Sequence, residues 1–284
     1  RFRAGAELAF EEANYTVAGR PIEFIVEDAA TDISVTLDKL KKLAEVDGVH
    51  ACIGPLMGDA HLAIAPYAAE HKILMTTLFN GMDECIPYGN WIIYPNSCVL
   101  QQIPLGWYAY DEMGFRTMAI IGSDYAGGWG YMAGVKYGFE ERGGEVVQEQ
   151  WAPIGTVDFG PYLATLRKDV DCCAWFFPNT TEVVRFVTQY KEFGIEVTSL
   201  STTVEGDMPT PVLEELGETV LGLLGSEAYP SYRDDPINNK FVAAMIAKTG
   251  VRPGAIEQNA YTMAKLILAG LEITDGDDSF DRLW

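Results

Sequence analysis

The stretch Val49–Thr77, VHACIGPLMGDAHLAIAPYAAEHKILMTT, decides how the chain is read. An apolar run from Val49 to Gly54 is followed by a Gly54-Pro55 turn, a small-residue start at Met57-Gly58-Asp59, an amphipathic segment over 60–70 and a second apolar run over 73–76. Short apolar runs bounded by turn residues read as buried strands, and the segment between them has helical spacing. Strand, helix and strand in that order make a parallel crossover, which brings both strand ends to one edge of the sheet. The turn after Gly54 and the segment after Thr76 are therefore expected to face one crevice.

The same alternation extends in both directions. Upstream, residues 4–15 read as a helix, Ile22–Glu27 as a strand and Val35–Val46 as a helix, so three successive units predict a doubly wound sheet. Gly81–Asn96, rich in Gly, Pro, Asn and aromatics, reads as a rim loop carrying a short strand at Trp91–Tyr94. After a helix over 99–113 the pattern restarts. Phe115–Ile121, 145–151, 172–177 and 196–200 read as strands, separated by helices over 128–143, 159–168 and 180–193. The segment ETVLGLLGSEAYPSY, 218–232, is expected to cross back, and helices over 237–248 and 255–271 to pack on the first lobe. The predicted fold is thus α/β with two lobes, residues 1–115 with 232–284 and residues 116–231, and parallel sheets with an intervening ligand cleft.

Composition excludes several function classes. Twenty Lys and Arg against 41 Asp and Glu give a net charge of −21, a field that repels a phosphate backbone, and no basic stripe interrupts it. Nucleic acid is not an expected partner. Gly127-Gly128-Trp129-Gly130 lacks the spacing of a dinucleotide fingerprint, and neither a GxxxxGK[ST] loop nor a GxSxG turn occurs. His50, His61 and His71 are scattered without a sulfur or carboxylate cluster, so neither a metal nor another cofactor is expected, and the chain does not read as an enzyme. Of five cysteines, Cys52, Cys172 and Cys173 fall in apolar strands and read as buried thiols; pairing of Cys85 with Cys98 stays open. Arg1 already lies in a helical pattern, which reads as a trimmed N-terminus with room upstream for an export signal or a lipid-bearing cysteine.

Seven landmarks in order carry a family resemblance: GAELAFEEAN, IEFIVEDAATD, GVHACIGP, AIAPYAAEHKILM, FRTMAIIGSDYAGG, GTVDFGPYLATLR and GETVLGLLGSEAYPSY. Together they resemble the periplasmic solute-binding proteins of branched-chain amino-acid transporters, the leucine/isoleucine/valine type. The resemblance implies a periplasmic-binding-protein type I fold with two Rossmann-like lobes, a hinge, a ligand in the cleft and delivery to an ABC transporter permease. It also implies a periplasmic or extracellular location, with a lipid anchor on the full-length protein left open. A further strand is expected ahead of the GAELAF-like helix.

The resemblance also places a set of ligand groups. The turn at Met57, Gly58 and Asp59 corresponds to the place where backbone amides and a hydroxyl receive a ligand carboxylate, although Leu56-Met57-Gly58-Asp59 replaces the usual serine-rich turn. Thr77 and Asn80 form the second wall, and Tyr125 is the aromatic from the second lobe, with Trp129 as its weaker neighbour. At the end of AWFF either Phe176 or Phe177 faces the crevice, and Phe177 is the choice. Glu205 corresponds to the acid that receives an ammonium, with Asp207 as the nearest substitute. The expected ligand is small and polar or zwitterionic, an amino acid or an amide; the alternative role is that of an extracellular sensing domain.

Overall fold

The computed structural model describes residues 1–77, 83–89, 91–93, 98–202, 213, 215–226 and 229–283. They divide into two units, Arg1–Ser97 with Ser231–Trp284, and Cys98–Pro230.

The first unit opens with helix α1 (Phe2–Glu12), followed by a small hairpin of β1 (Thr16–Val17) and β2 (Arg20–Pro21). Helix α2 (Ile33–Glu45) is capped by Asp32, whose carboxylate accepts the Val35 amide at 3.0 Å. The decisive stretch then folds as read: β3 (Ala51–Ile53), α3 (Gly58–Glu70) and β4 (Leu74–Thr77), with Ala51 opposite Leu74 in a parallel pair. A 3₁₀ turn at Asp83–Tyr88 leads to β5 (Trp91–Ile93), which extends the parallel sheet on the far side of β4.

One expectation differs. Ile22–Glu27, predicted as a strand, forms no ladder with another strand among the described residues. A strand must lie within ladder distance of its neighbour, and a cavity lies between this stretch and β3, the edge of the described sheet.

The second unit begins with α4 (Cys98–Asp111), then β6 (Thr117–Ser123), α5 (Ala126–Glu141), β7 (Glu145–Ala152), α6 (Gly160–Thr165), β8 (Cys172–Phe176), α7 (Thr180–Glu192), β9 (Thr198–Ser201) and β10 (Leu224–Gly225). All five strands are parallel, in the order β10-β9-β8-β6-β7. Strands β6 and β8 lie inside the sheet and are almost wholly buried, which is why TMAIIGS and CCAWF read as unbroken apolar runs. Burial pushes the Cys172 thiol up to about 12 and Cys173 higher still, as expected of inert core thiols. One face of the sheet packs Phe159, Trp175, Phe177 and Phe186 into a single aromatic core.

The chain returns to the first unit through α8 (Pro236–Thr249), capped by Asp235, and α9 (Ala255–Ile273), and ends with α10 (Phe280–Leu283). Helix α9 lies so close to α1 that a Cβ on Gly5 would strike the Glu257 carbonyl, and Arg1 grips the Glu257 carboxylate at 2.6 and 3.0 Å.

The boundary between units also differs from the expected break at 115, because α4 goes with the second unit. Glycine explains this. A Cβ on Gly134 would collide with the Val99 carbonyl, one on Gly138 with the Ile103 carbonyl and one on Gly106 with the Val135 carbonyl, so α4 and α5 touch backbone to backbone. The Ser226 hydroxyl adds a 2.6 Å bond to the Gln102 side chain. Gly134→Ala is therefore expected to cost about 1–3 kcal/mol by overpacking, against the gain that alanine brings to an ordinary helix position. Urea unfolding of the variant checks it, and an unchanged midpoint would mean that the two helices separate at no cost.

Candidate functional site

Loops at the carboxyl ends of parallel strands are where such sheets hold ligands, above all where neighbouring strands send their connections in opposite directions. In the second unit that point lies between β6 and β8: the chain leaves β6 for β7 on one side and leaves β8 for β9 on the other. Tyr125 follows β6 and Phe176 ends β8, and their rings lie 6.3 Å apart. Phe176 in turn stacks on Tyr131 of α5 at 4.1 Å and 8°.

Phe177, chosen from the sequence, is instead packed in the core, 4.7 Å from Phe159 and 4.9 Å from Phe186. Side chains alternate along β8, so Trp175 and Phe177 share the face under α6 and α7 while Phe176 turns toward α5. The structure therefore puts Phe176 beside Tyr125 in place of Phe177. Trp129 is half exposed and donates to Asp124 at 3.2 Å, a surface position.

In the second unit α5 begins after β6 and α7 after β8, and in the first unit α3 begins after β3; none of the three has a side-chain cap. Helices α2 and α8 are each closed by an aspartate, whereas α1, α6 and α9 also have no side-chain cap. Amides of an uncapped first turn point outward and, with the helix dipole, favour an anion. At α3 this turn is Met57-Gly58-Asp59, with Gly58 buried and the other two half-buried. Asp59 already brings a negative charge to that turn. Thr77 closes β4, with its backbone alone described; Asn80, Glu205 and Asp207 lie outside the described residues.

His61 is the residue that sequence reading left as a scattered histidine. It is fully buried on α3, and its Nε2 lies 2.6 Å from the Pro55 carbonyl oxygen. A carbonyl only accepts, so Nε2 carries the proton and the ring ties α3 back to the cis Gly54-Pro55 turn. Burial pushes the imidazole down to about 4, outweighing that hydrogen bond. The six-residue spacing from Pro55 was visible in the sequence, but the direction of the ring was not.

A cavity of about 720 Å³ occupies the first unit. It reaches Met57, yet much of its wall is the stretch Ile22–Glu27 and the facing edge of β3. It is a gap beside a sheet edge, and the polar helix starts of the second unit take no part in it. Among the described residues no group of His, Cys, Asp and Glu is placed to hold a metal ion.

Residues 1–283 match the family model described as periplasmic binding protein. The chain belongs to this family. An ABC transporter substrate-binding protein from Sphaerobacter thermophilus is 30% identical with a TM-score of 0.90, over 99% of this chain and 78% of that one. A solute binding protein of an ABC transporter from Rhodopseudomonas palustris BisB5, solved with 3,4-dihydroxybenzoic acid, is 27% identical with a TM-score of 0.88 over the same shares. The Leu/Ile/Val-binding protein homolog 6 of Brucella suis is 23% identical over 245 residues, 85% of this chain, and the chain spans 63% of that relative's length. The two-lobed α/β architecture of the periplasmic binding proteins is the one described above, and the family is one of non-catalytic solute binders.

The His61 geometry predicts acid lability. The unfolded chain takes up this proton near the ordinary value of 6.5 and the folded one only near 4, so stability is full above about pH 6.5 and falls as pH drops through that window. Below about pH 4 the loss levels off at roughly 3 kcal/mol. Denaturant midpoints measured from pH 7 to pH 4 should fall less steeply in His61→Gln, which keeps an N–H donor but does not titrate. Equal slopes in the two proteins would remove His61 as the source.

Proposed function

We propose that the protein is an extracytoplasmic solute-binding protein that captures a small carboxylate and hands it to an ABC transporter permease, with hydroxybenzoate-type aromatic acids as the favoured ligands. The observation that carries this is found at the strand ends of the second unit: the start of α5, with no side-chain cap and no acidic residue in its first turn, suits a carboxylate, and the Tyr125–Phe176 aromatic pair suits a flat ring. Leu56 and Met57 at the α3 turn supply apolar surface where the family resemblance implies hydroxyls. The Rhodopseudomonas relative with 3,4-dihydroxybenzoic acid supports the same ligand class. Asp59 and the expected ligand contacts at Met57, Gly58, Thr77, Asn80 and Tyr125 are part of this proposal. Binding needs no cofactor and no nucleic acid.

An aliphatic amino acid is the second reading. The name of the Brucella relatives favours it, and Glu205 would then receive the ammonium. The two readings differ in charge at one end of the ligand, so calorimetry on ligand-stripped protein with 4-hydroxybenzoate, 3,4-dihydroxybenzoate and leucine separates them.

A ligand present at 100 times its Kd raises stability by about 2.7 kcal/mol, enough to read as a thermal shift. The expected outcome is saturable binding of the aromatic acids and little of leucine; leucine binding that weakens sharply in Glu205→Gln would reverse the order of the two readings. Flat isotherms for all three would sink the carboxylate proposal.

The phenylalanines provide a second check. Phe176→Ala is expected to weaken ligand binding severalfold. Phe177→Ala should cost about 3–5 kcal/mol of stability, as truncations in an aromatic core do. Chemical denaturation and calorimetry on both variants make the comparison.

A further inference from the structure

Gly127 is the second residue of α5 and has no left-handed backbone that would require glycine. Alanine would form that helix better. Space is the constraint: a Cβ built on Gly127 would lie 2.7 Å from Cε2, Cζ and Oη of Tyr125. The next glycine is different in kind, because a Cβ on Gly128 would run into the backbone carbonyl of Ser123, which cannot yield. At Gly127 only the outer end of a movable ring is in the way. Tyr125 itself is the extended residue before α5, with φ −163° and ψ 168°, and its ring comes forward over Gly127 and toward Phe176.

We propose that Gly127 is a positioning residue for Tyr125: its missing side chain is the berth that holds the ring forward over the first turn of α5, and the berth sets the aromatic wall against which a flat acid is bound. The ligand half of this proposal rests on the functional reading above, while the ring placement stands on the contact geometry between Tyr125 and Gly127. A larger residue at 127 takes the ring's place and turns Tyr125 away from Phe176 without disturbing the helix. Gly127 is thus a specificity-setting position in which the absence of a side chain matters and no ligand contact by residue 127 is needed.

The test has two arms in the full chain. In protein labelled with 3-fluorotyrosine, Tyr125→Phe assigns the Tyr125 fluorine resonance. Gly127→Ala is expected to shift that resonance while leaving the melting temperature no lower. A resonance that stays in place overturns the proposal, whatever the ligand. In the second arm, 4-hydroxybenzoate is titrated calorimetrically into wild type, Gly127→Ala, Tyr125→Ala and the double variant. Gly127→Ala should weaken binding roughly threefold to tenfold, the worth of one aromatic contact, and should add nothing in the Tyr125→Ala background.

Equal losses in both backgrounds would overturn a role acting through the ring. A loss on Tyr125→Ala with none on Gly127→Ala would overturn the ligand half. If 4-hydroxybenzoate does not bind, or Tyr125→Ala leaves its affinity unchanged, the functional reading fails, and the fluorine signal still decides the berth.

Discussion

The parallel pairing of β6 with both β7 and β8 is the constraint on which the second unit depends. Parallel neighbours cannot be joined by a tight turn, so each strand must hand over to a crossover segment, and every such segment leaves from the same edge. Because β6 lies between β7 and β8, α5 and α7 start side by side but on opposite faces of the sheet. That divergence brings Tyr125 and Phe176 together. It also leaves Trp175 and Phe177 on the other face, where they complete the core with Phe159 and Phe186. One alternation along β8 therefore serves both packing and the candidate site.

Helix starts differ in how their first amides are satisfied. An Asp or Ser cap contributes about 1 kcal/mol; α2 and α8 take it from Asp32 and Asp235, while α1, α6 and α9 start without one. The starts of α3, α5 and α7 do without. A side chain that satisfied those amides would also occupy the place of an incoming anion. At α3 the turn is steadied from behind instead, by the buried His61 holding the Pro55 carbonyl. A neutral imidazole does this without adding charge to the turn, and the cost is sensitivity to acid.

Glycine has two separate uses here. Gly106, Gly134 and Gly138 let α4 and α5 meet at backbone distance, and this contact assigns α4 to the second unit. Gly127 instead leaves space for a neighbouring ring. The first kind resists substitution through the rigid backbone opposite, and the second through a side chain that can move, so their variants differ in what they disturb.

The sequence by itself determined the parallel α/β class, the family and the order of strands and helices from α2 onward, because hydrophobic period and turn residues are local properties of the chain. It also located the α3 turn and Tyr125 at strand ends. Gly130, Gly134 and Gly138 stand four residues apart in the chain, but only α4 lying against Gly134 and Gly138 shows that the spacing serves close packing. Tertiary structure alone decided that Phe176 and not Phe177 stands beside Tyr125, that Ile22–Glu27 joins no sheet among the described residues, and that His61 turns back to Pro55. Each of these depends on which distant segment lies on a given face or edge. Such contacts are made between residues far apart in the chain, and local periodicity carries no record of them.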